Sequence, residues 1–291
     1  MLKYSDFDYE LIDCGNFRRI EKFGKFILDR PCSQASWQLK NLKNKIKSDF
    51  YYKRDEKNKS WEIKNNRFKE LPDSWNINIG KMKAQLKFSS NSQVGIFPEQ
   101  FDNWCWIEDI ISKRPRKGSF QKTKVLNTFA YTGMSSLFSS SAKSEVCHLD
   151  GAKSAISWAK QNAELSELKN SKIRWICDDV TKFLTREIKR NNFYDGIILD
   201  PPAFGRFGKS QWQIQKDLPK LMELVQQVLT KNPLFVILTC HAPDFFSAKD
   251  FKRILEEIPQ FKGKRAEELE LKIPSKKGNS LPSSFGARIC R

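Results

Sequence analysis

Val125-Leu126-Asn127-Thr128-Phe129-Ala130-Tyr131-Thr132-Gly133-Met134 is the stretch on which the fold turns. Its first residues suit a buried strand, its middle a turn, and a run of small residues after Gly133 suits a helix. A strand that ends in a glycine-containing turn and feeds a helix opens a βαβ unit. Apolar strand patterns recur at 145–149, 173–177, 196–199 and 235–239. Between them Val180, Phe183, Leu184 and Ile188 share one helical face, and Leu218, Leu221, Met222, Val225, Val228 and Leu229 share another. The alternation predicts an α/β domain over residues 119–291 built on a doubly wound parallel sheet. Two further strand patterns, 267–273 and 285–290, predict an antiparallel hairpin at the sheet edge. The turn after the first strand has a single glycine and no Lys-Ser/Thr ending, which argues against a dinucleotide fingerprint and against a P-loop.

Working downstream, each strand end carries a polar group. Asp150 lies 17 positions after Gly133, where a carboxylate can accept hydrogen bonds from both hydroxyls of a ribose or can cap the helix that follows. Asp178 and Asp179 close the third strand, one suited to capping and another polar atom to an adenine amino group. Asp200-Pro201-Pro202-Ala203-Phe204-Gly205 closes the fourth. Its prolines offer no N–H, so the chain leaves the sheet in an extended turn with carbonyl acceptors beside the Asp200 carboxylate. Those acceptors suit an exocyclic amino group, and Phe204 suits stacking on its base. Open α/β sheets bind ligands along this edge, so the joint arrangement predicts one crevice.

The two motifs resemble a class I S-adenosylmethionine-dependent methyltransferase. Residues 126–133 and 200–204 are similar to the Leu-Asn-Leu-Phe-x-Tyr-Thr-Gly and Asp-Pro-Pro-x-Phe signatures of the bacterial ribosomal RNA large-subunit methyltransferase group that includes cytosine C5 enzymes. Val94-Gly95-Ile96-Phe97-Pro98-Glu99-Gln100 resembles the Gly-x-x-x-[Asp/Glu]-Gln element ahead of that group's cofactor domain. The resemblance implies a Rossmann-like domain with S-adenosylmethionine as cofactor and no metal. It implies that Phe129, Ala130, Tyr131 and Gly133 meet the methionine part, Asp150 the ribose and Asp179 the adenine, with Gln100 also on the cofactor side. Asp200 with Pro201 would border the reacting base. Cys240 follows the fifth strand, where the group's cytosine C5 enzymes carry a nucleophile, with His241 in place of the usual Ser. Carbon C5 of cytosine needs a thiolate added at C6 first. An inert Cys240 would point instead to a ring or exocyclic nitrogen, with His241 near as a base.

Upstream, residues 1–118 read as a β-rich, basic substrate-binding region, with strands at 9–12, 19–23 and 25–28 and a linker at 113–118. Lys40, Lys43, Lys45, Lys47, Lys53, Arg54, Lys57, Lys59, Lys64, Arg67 and Lys69 are interleaved with Phe50, Tyr51, Tyr52, Trp61 and Phe68, a pattern suited to single-stranded RNA or to a solvated face. With 52 Lys and Arg against 34 Asp and Glu, the net charge of +18 favours a polyanionic partner, RNA before membrane. The seven cysteines include no Cys-x-x-Cys pair, so neither a disulfide framework nor a zinc site is expected. No apolar run approaches the ~18 residues of a membrane span. The opening residues lack the apolar core of a signal peptide, and a cytoplasmic setting is expected. The expectation is methylation of a ribosomal RNA base; a protein or small-molecule acceptor, or a catalytically silent RNA-binding module, is the rival reading.

Overall fold

The computed structural model describes residues 2–291 except 40–46, 55–58, 115–121, 209, 242–244 and 277. Contacts divide it into two compact units, Leu2–Phe101 with Lys272–Ser283, and Asp102–Leu271 with Ser284–Arg291.

In the first unit β1 (Tyr9–Gly15), β2 (Arg18–Phe23), β3 (Phe26–Pro31), β4 (Phe50–Arg54) and β5 (Lys59–Ile63) form a five-stranded sheet in that order. β6 (Trp75–Ile79) and β7 (Met82–Leu86) pair separately. Strand alternation explains where the aromatics go. Phe50 and Tyr52 point inward and are buried, while Tyr51 between them lies under the Arg18 and Lys64 cations. Phe26, Phe50, Phe68, Trp75 and Phe88 pack ring against ring at 4.9–5.4 Å. For two of the tract's rings the expectation of base stacking is corrected: Phe50 and Tyr52 are core. Lys40, Lys43, Lys45 and Lys57 lie outside the described residues, as does most of the expected linker.

One buried charge organises this unit. Glu21 accepts from Tyr9 Oη at 2.8 Å and pairs with Arg30 and Arg19, and Glu21 and Arg30 are both fully buried. Burial works to raise the Glu21 carboxyl, but Arg19 and Arg30 outweigh it and hold it below the usual carboxylate range.

The second unit opens with α1 (Phe101–Lys113), then β8 (Lys124–Thr128), α2 (Met134–Ser141), β9 (Glu145–Asp150), α3 (Lys153–Leu165), β10 (Ile173–Cys177), α4 (Val180–Lys189) and β11 (Gly196–Leu199). A hairpin of β12 (Phe204–Phe207) and β13 (Ser210–Gln213) precedes α5 (Ile214–Val228), β14 (Phe235–Cys240), α6 (Ala248–Glu256), β15 (Glu267–Ile273) and β16 (Leu281–Cys290). The sheet order is β10-β9-β8-β11-β14-β16-β15, with the first five strands parallel and β16 antiparallel to β14. This is the expected Rossmann-like doubly wound sheet with its last two strands at the edge. Leu126, Leu199 and Leu238 face α4, α5 and α6 in one apolar cluster. Val125, Ile198 and Ile237 face Ile107 and Ile111 of α1 in another. That packing assigns α1 to the α/β unit, so contacts divide the chain after residue 101, where the sequence reading drew the line after 118.

Replacing Arg30 with Met leaves Arg19 and the Tyr9 hydroxyl to partner the buried Glu21 carboxylate and is expected to lower the unfolding free energy by about 3 kcal/mol, read by urea denaturation.

Candidate active site

β8 pairs with β9 on one side and β11 on the other, so the chain winds outward from β8 in one direction and resumes in the opposite one at β11. The crevice at such a switch point opens at the carboxyl ends of the two strands, here at Phe129 and Asp200.

The loop after β8 is held in an unusual shape. Phe129 and Tyr131 have φ of 53° and 48°, and Gly133 has φ of 91°. Non-glycine residues there cost about 1–3 kcal/mol each and need outside support. Support comes from three directions. Ala130 N–H donates to Leu149 O at 3.1 Å, Tyr131 N–H to Asp150 Oδ2 at 2.8 Å, and the Asn162 amide to Thr132 O at 2.9 Å. At Gly133 a Cβ would stand 3.0 Å from the Ala159 Cβ, so α3 packs against bare backbone. Beneath the loop, Asn127 Nδ2 donates to Ser136 Oγ at 2.9 Å, and Ser136 Oγ lies 3.0 Å from His148 Nδ1, all three buried. Burial pushes the His148 imidazole down from 6.5 to about 3, so it stays neutral.

Asp150 therefore joins the loop to β9. Its Oδ1 accepts from Ala152 N–H at 2.7 Å, and a carboxylate oxygen can accept more than one such bond. Burial raises its carboxyl, partly offset by the Ala152 and Tyr131 amides. Asp179 caps α4: its Oδ1 accepts from Lys182 N–H at 3.0 Å and Thr181 Oγ1 at 2.6 Å. Asp178 accepts from Asp179 N–H and pairs with Arg186. On the other side of the crevice Thr239 Oγ1 donates to Asp200 Oδ1 at 2.7 Å. Pro201 is buried and Phe204 is 62% exposed.

Cys240 follows Thr239 and so faces the opposite side of the sheet. The thiol is buried at 0% exposure in the cluster that holds Phe251 and Phe285. His241 is exposed. Gln100 sits in the first unit, buried in the short 3-10 turn Pro98–Gln100. The sequence reading missed the β12–β13 hairpin and Trp212 on it, although Phe204 to Phe207 and Ser210 to Gln213 flank Gly208 at φ 55°, a hairpin signal.

No family model matches the chain. A solved SAM-dependent methyltransferase from Agrobacterium tumefaciens is 30% identical, covers 97% of this chain and 90% of its own, and superposes with a TM-score of 0.87. The chain belongs to the S-adenosylmethionine-dependent methyltransferases. Among curated proteins it is similar to ribosomal RNA large subunit methyltransferase I of Tolumonas auensis, 28% identical over 191 residues, which are 65% of this chain and 45% of that protein. The chain thus spans about half the length of the curated relatives it matches. A Streptococcus mutans structure of 17% identity, covering 98% of this chain and 76% of its own with a TM-score of 0.72, shares the fold.

Asp150→Ala removes the acceptor of the Tyr131 and Ala152 amides that shape the loop, and S-adenosylmethionine binding is expected to weaken by about 10- to 100-fold, measured by isothermal titration calorimetry. His148 generates a pH prediction. Its folded pKa lies below its unfolded value, so its contribution is intact above pH 6.5 and is lost as pH falls toward 3, where only the unfolded chain takes the proton. The slope is up to about 1.4 kcal/mol per pH unit. Denaturation at a series of pH values is expected to show a shallower acid slope for His148→Phe.

Proposed function

We propose that this chain transfers a methyl group from S-adenosylmethionine to a nitrogen of a base in ribosomal RNA, the large subunit being the substrate. The observation that carries the reading is the Asp200 carboxylate, fixed at 2.7 Å by the Thr239 hydroxyl at the switch point. Beside it stands a double-proline turn, across from a loop tied to Asp150. S-adenosylmethionine supplies an electrophilic sulfonium methyl. Asp150 holds the ribose, the loop of Phe129, Ala130, Tyr131 and Gly133 receives the methionine part, and Asp179, whose Oδ1 is spent on the helix cap, turns Oδ2 to the adenine amino group. Gln100 is assigned to the cofactor side on the resemblance of its motif. Asp200 and the Pro201 carbonyl accept the hydrogens of an amino group and aim its nitrogen in line with the methyl, and Phe204 stacks on the base. As the N–CH3 bond forms the S–CH3 bond breaks, S-adenosylhomocysteine leaves, and the surplus N–H proton passes to the Asp200 carboxylate.

The nitrogen is favoured over cytosine C5 because Cys240 is buried among apolar side chains on the sheet face opposite Thr239. The net charge of +18 supports RNA, as do the names of the curated relatives. In this reading residues 1–118 contribute RNA contacts, and the protein works in the cytoplasm with the ribosomal RNA.

The test is incubation of the chain with methyl-labelled S-adenosylmethionine and unmodified ribosomal RNA, followed by digestion and mass spectrometry of nucleosides. An N-methylated base, made equally by Cys240→Ser, is the expected result. Labelled 5-methylcytidine that disappears in Cys240→Ser overturns the nitrogen assignment, and the absence of label in RNA overturns the RNA reading.

A further inference from the structure

The β12–β13 hairpin leaves the Asp200-Pro201-Pro202 turn and returns to α5, and its tryptophan touches both halves of the crevice. Trp212 Nε1 donates to the Pro202 carbonyl at 2.7 Å. Its ring lies 5.2 Å from that of Phe129, at 53°, and Phe129 is the first left-handed residue of the cofactor loop. Gly205 opposes Trp212 in the hairpin register, and a Cβ there would stand 3.7 Å from the Trp212 Cβ. Two residues on, Phe207 packs on Gly151, directly after Asp150, where a Cβ would stand 3.3 Å from the ring. One hairpin therefore touches the base-side turn, the methionine-side loop and the ribose-side strand end.

We propose that Trp212 is a positioning residue that couples the cofactor loop to the turn bordering the target base. Its two contacts are chemically separable. The ring braces Phe129 in a backbone conformation that needs outside support. The indole N–H fixes the Pro202 carbonyl, and the rigid proline pair carries that constraint back to Pro201 and Asp200. In-line transfer demands that both partners keep one relative geometry, which is what a strut between the two loops provides. Both halves rest on the site assignments of the proposed function, but the cofactor-side half does not depend on RNA being the acceptor.

The experiment compares Trp212→Phe, which keeps a ring and loses the donor, with Trp212→Ala, which loses both. S-adenosylhomocysteine affinity is read by calorimetry, and kcat and KM by methyl transfer to ribosomal RNA. Trp212→Ala is expected to weaken S-adenosylhomocysteine by about tenfold, while Trp212→Phe stays within about twofold of the parent and loses about tenfold in kcat at unchanged KM for RNA. Parental affinity in Trp212→Ala overturns the brace, and full kcat in Trp212→Phe overturns the donor role. A fall in Tm alone, with affinity and kcat intact, reduces Trp212 to packing and overturns both. If the parent chain labels no RNA, the proposed function has failed, and the affinity ratio of the two variants still decides the brace. Should Trp212→Ala not fold, Trp212→Leu takes its place in the same comparison.

Discussion

The bond from the Tyr131 amide to the Asp150 carboxylate is the constraint from which the α/β unit's site follows. It joins the first strand's loop to the second strand's end, and it helps hold Phe129 and Tyr131 in left-handed geometry. The same carboxylate also orders the entry to α3 through Ala152. A loop of this kind persists only when its surroundings over-determine it. Here they do so from above, through Asp150, and from below, through the neutral His148, Ser136 and Asn127. Bare backbone at Gly133 then lets α3 approach.

On the opposite side of the crevice, the two-residue period of a strand separates two chemistries. Thr239 faces Asp200, and Cys240, one residue later, faces Phe251 and the apolar cluster. The thiol in that position is buried in the apolar cluster. A carboxylate in the other is oriented by a hydroxyl. The asymmetry leaves Thr239 bonded to the Asp200 carboxylate and Cys240 inside the core.

The five parallel strands were legible because a sheet covered on both faces writes continuous apolar runs, and the polar residues that break those runs mark the edge. The functional meaning of those polar residues was less legible. Asp179 reads equally well as a cap or a ligand group, and in the structure Oδ1 caps while Oδ2 does not. Helix α1 carried a stripe of Phe101, Trp104, Ile107 and Ile111 that the surrounding aromatic and charged residues obscured. In the first unit, interleaved rings and lysines suggested stacking on RNA, yet the pleat sends Phe50 and Tyr52 inward. Composition reports which residues are near each other in the chain; only register says which way they point.

The path of residues 272–283 has a consequence for how the chain matures. After β15 it goes back to the first unit, where Ser275 bridges to Leu11 and Lys276 N–H donates to Leu11 O at 3.1 Å, before β16 returns to the large sheet. β16 then lies between β14 and β15. During synthesis neither unit can complete its contacts until this stretch has emerged from the ribosome, so β1 to β5 and the five parallel strands must both wait, with unfinished edges, for the same late segment.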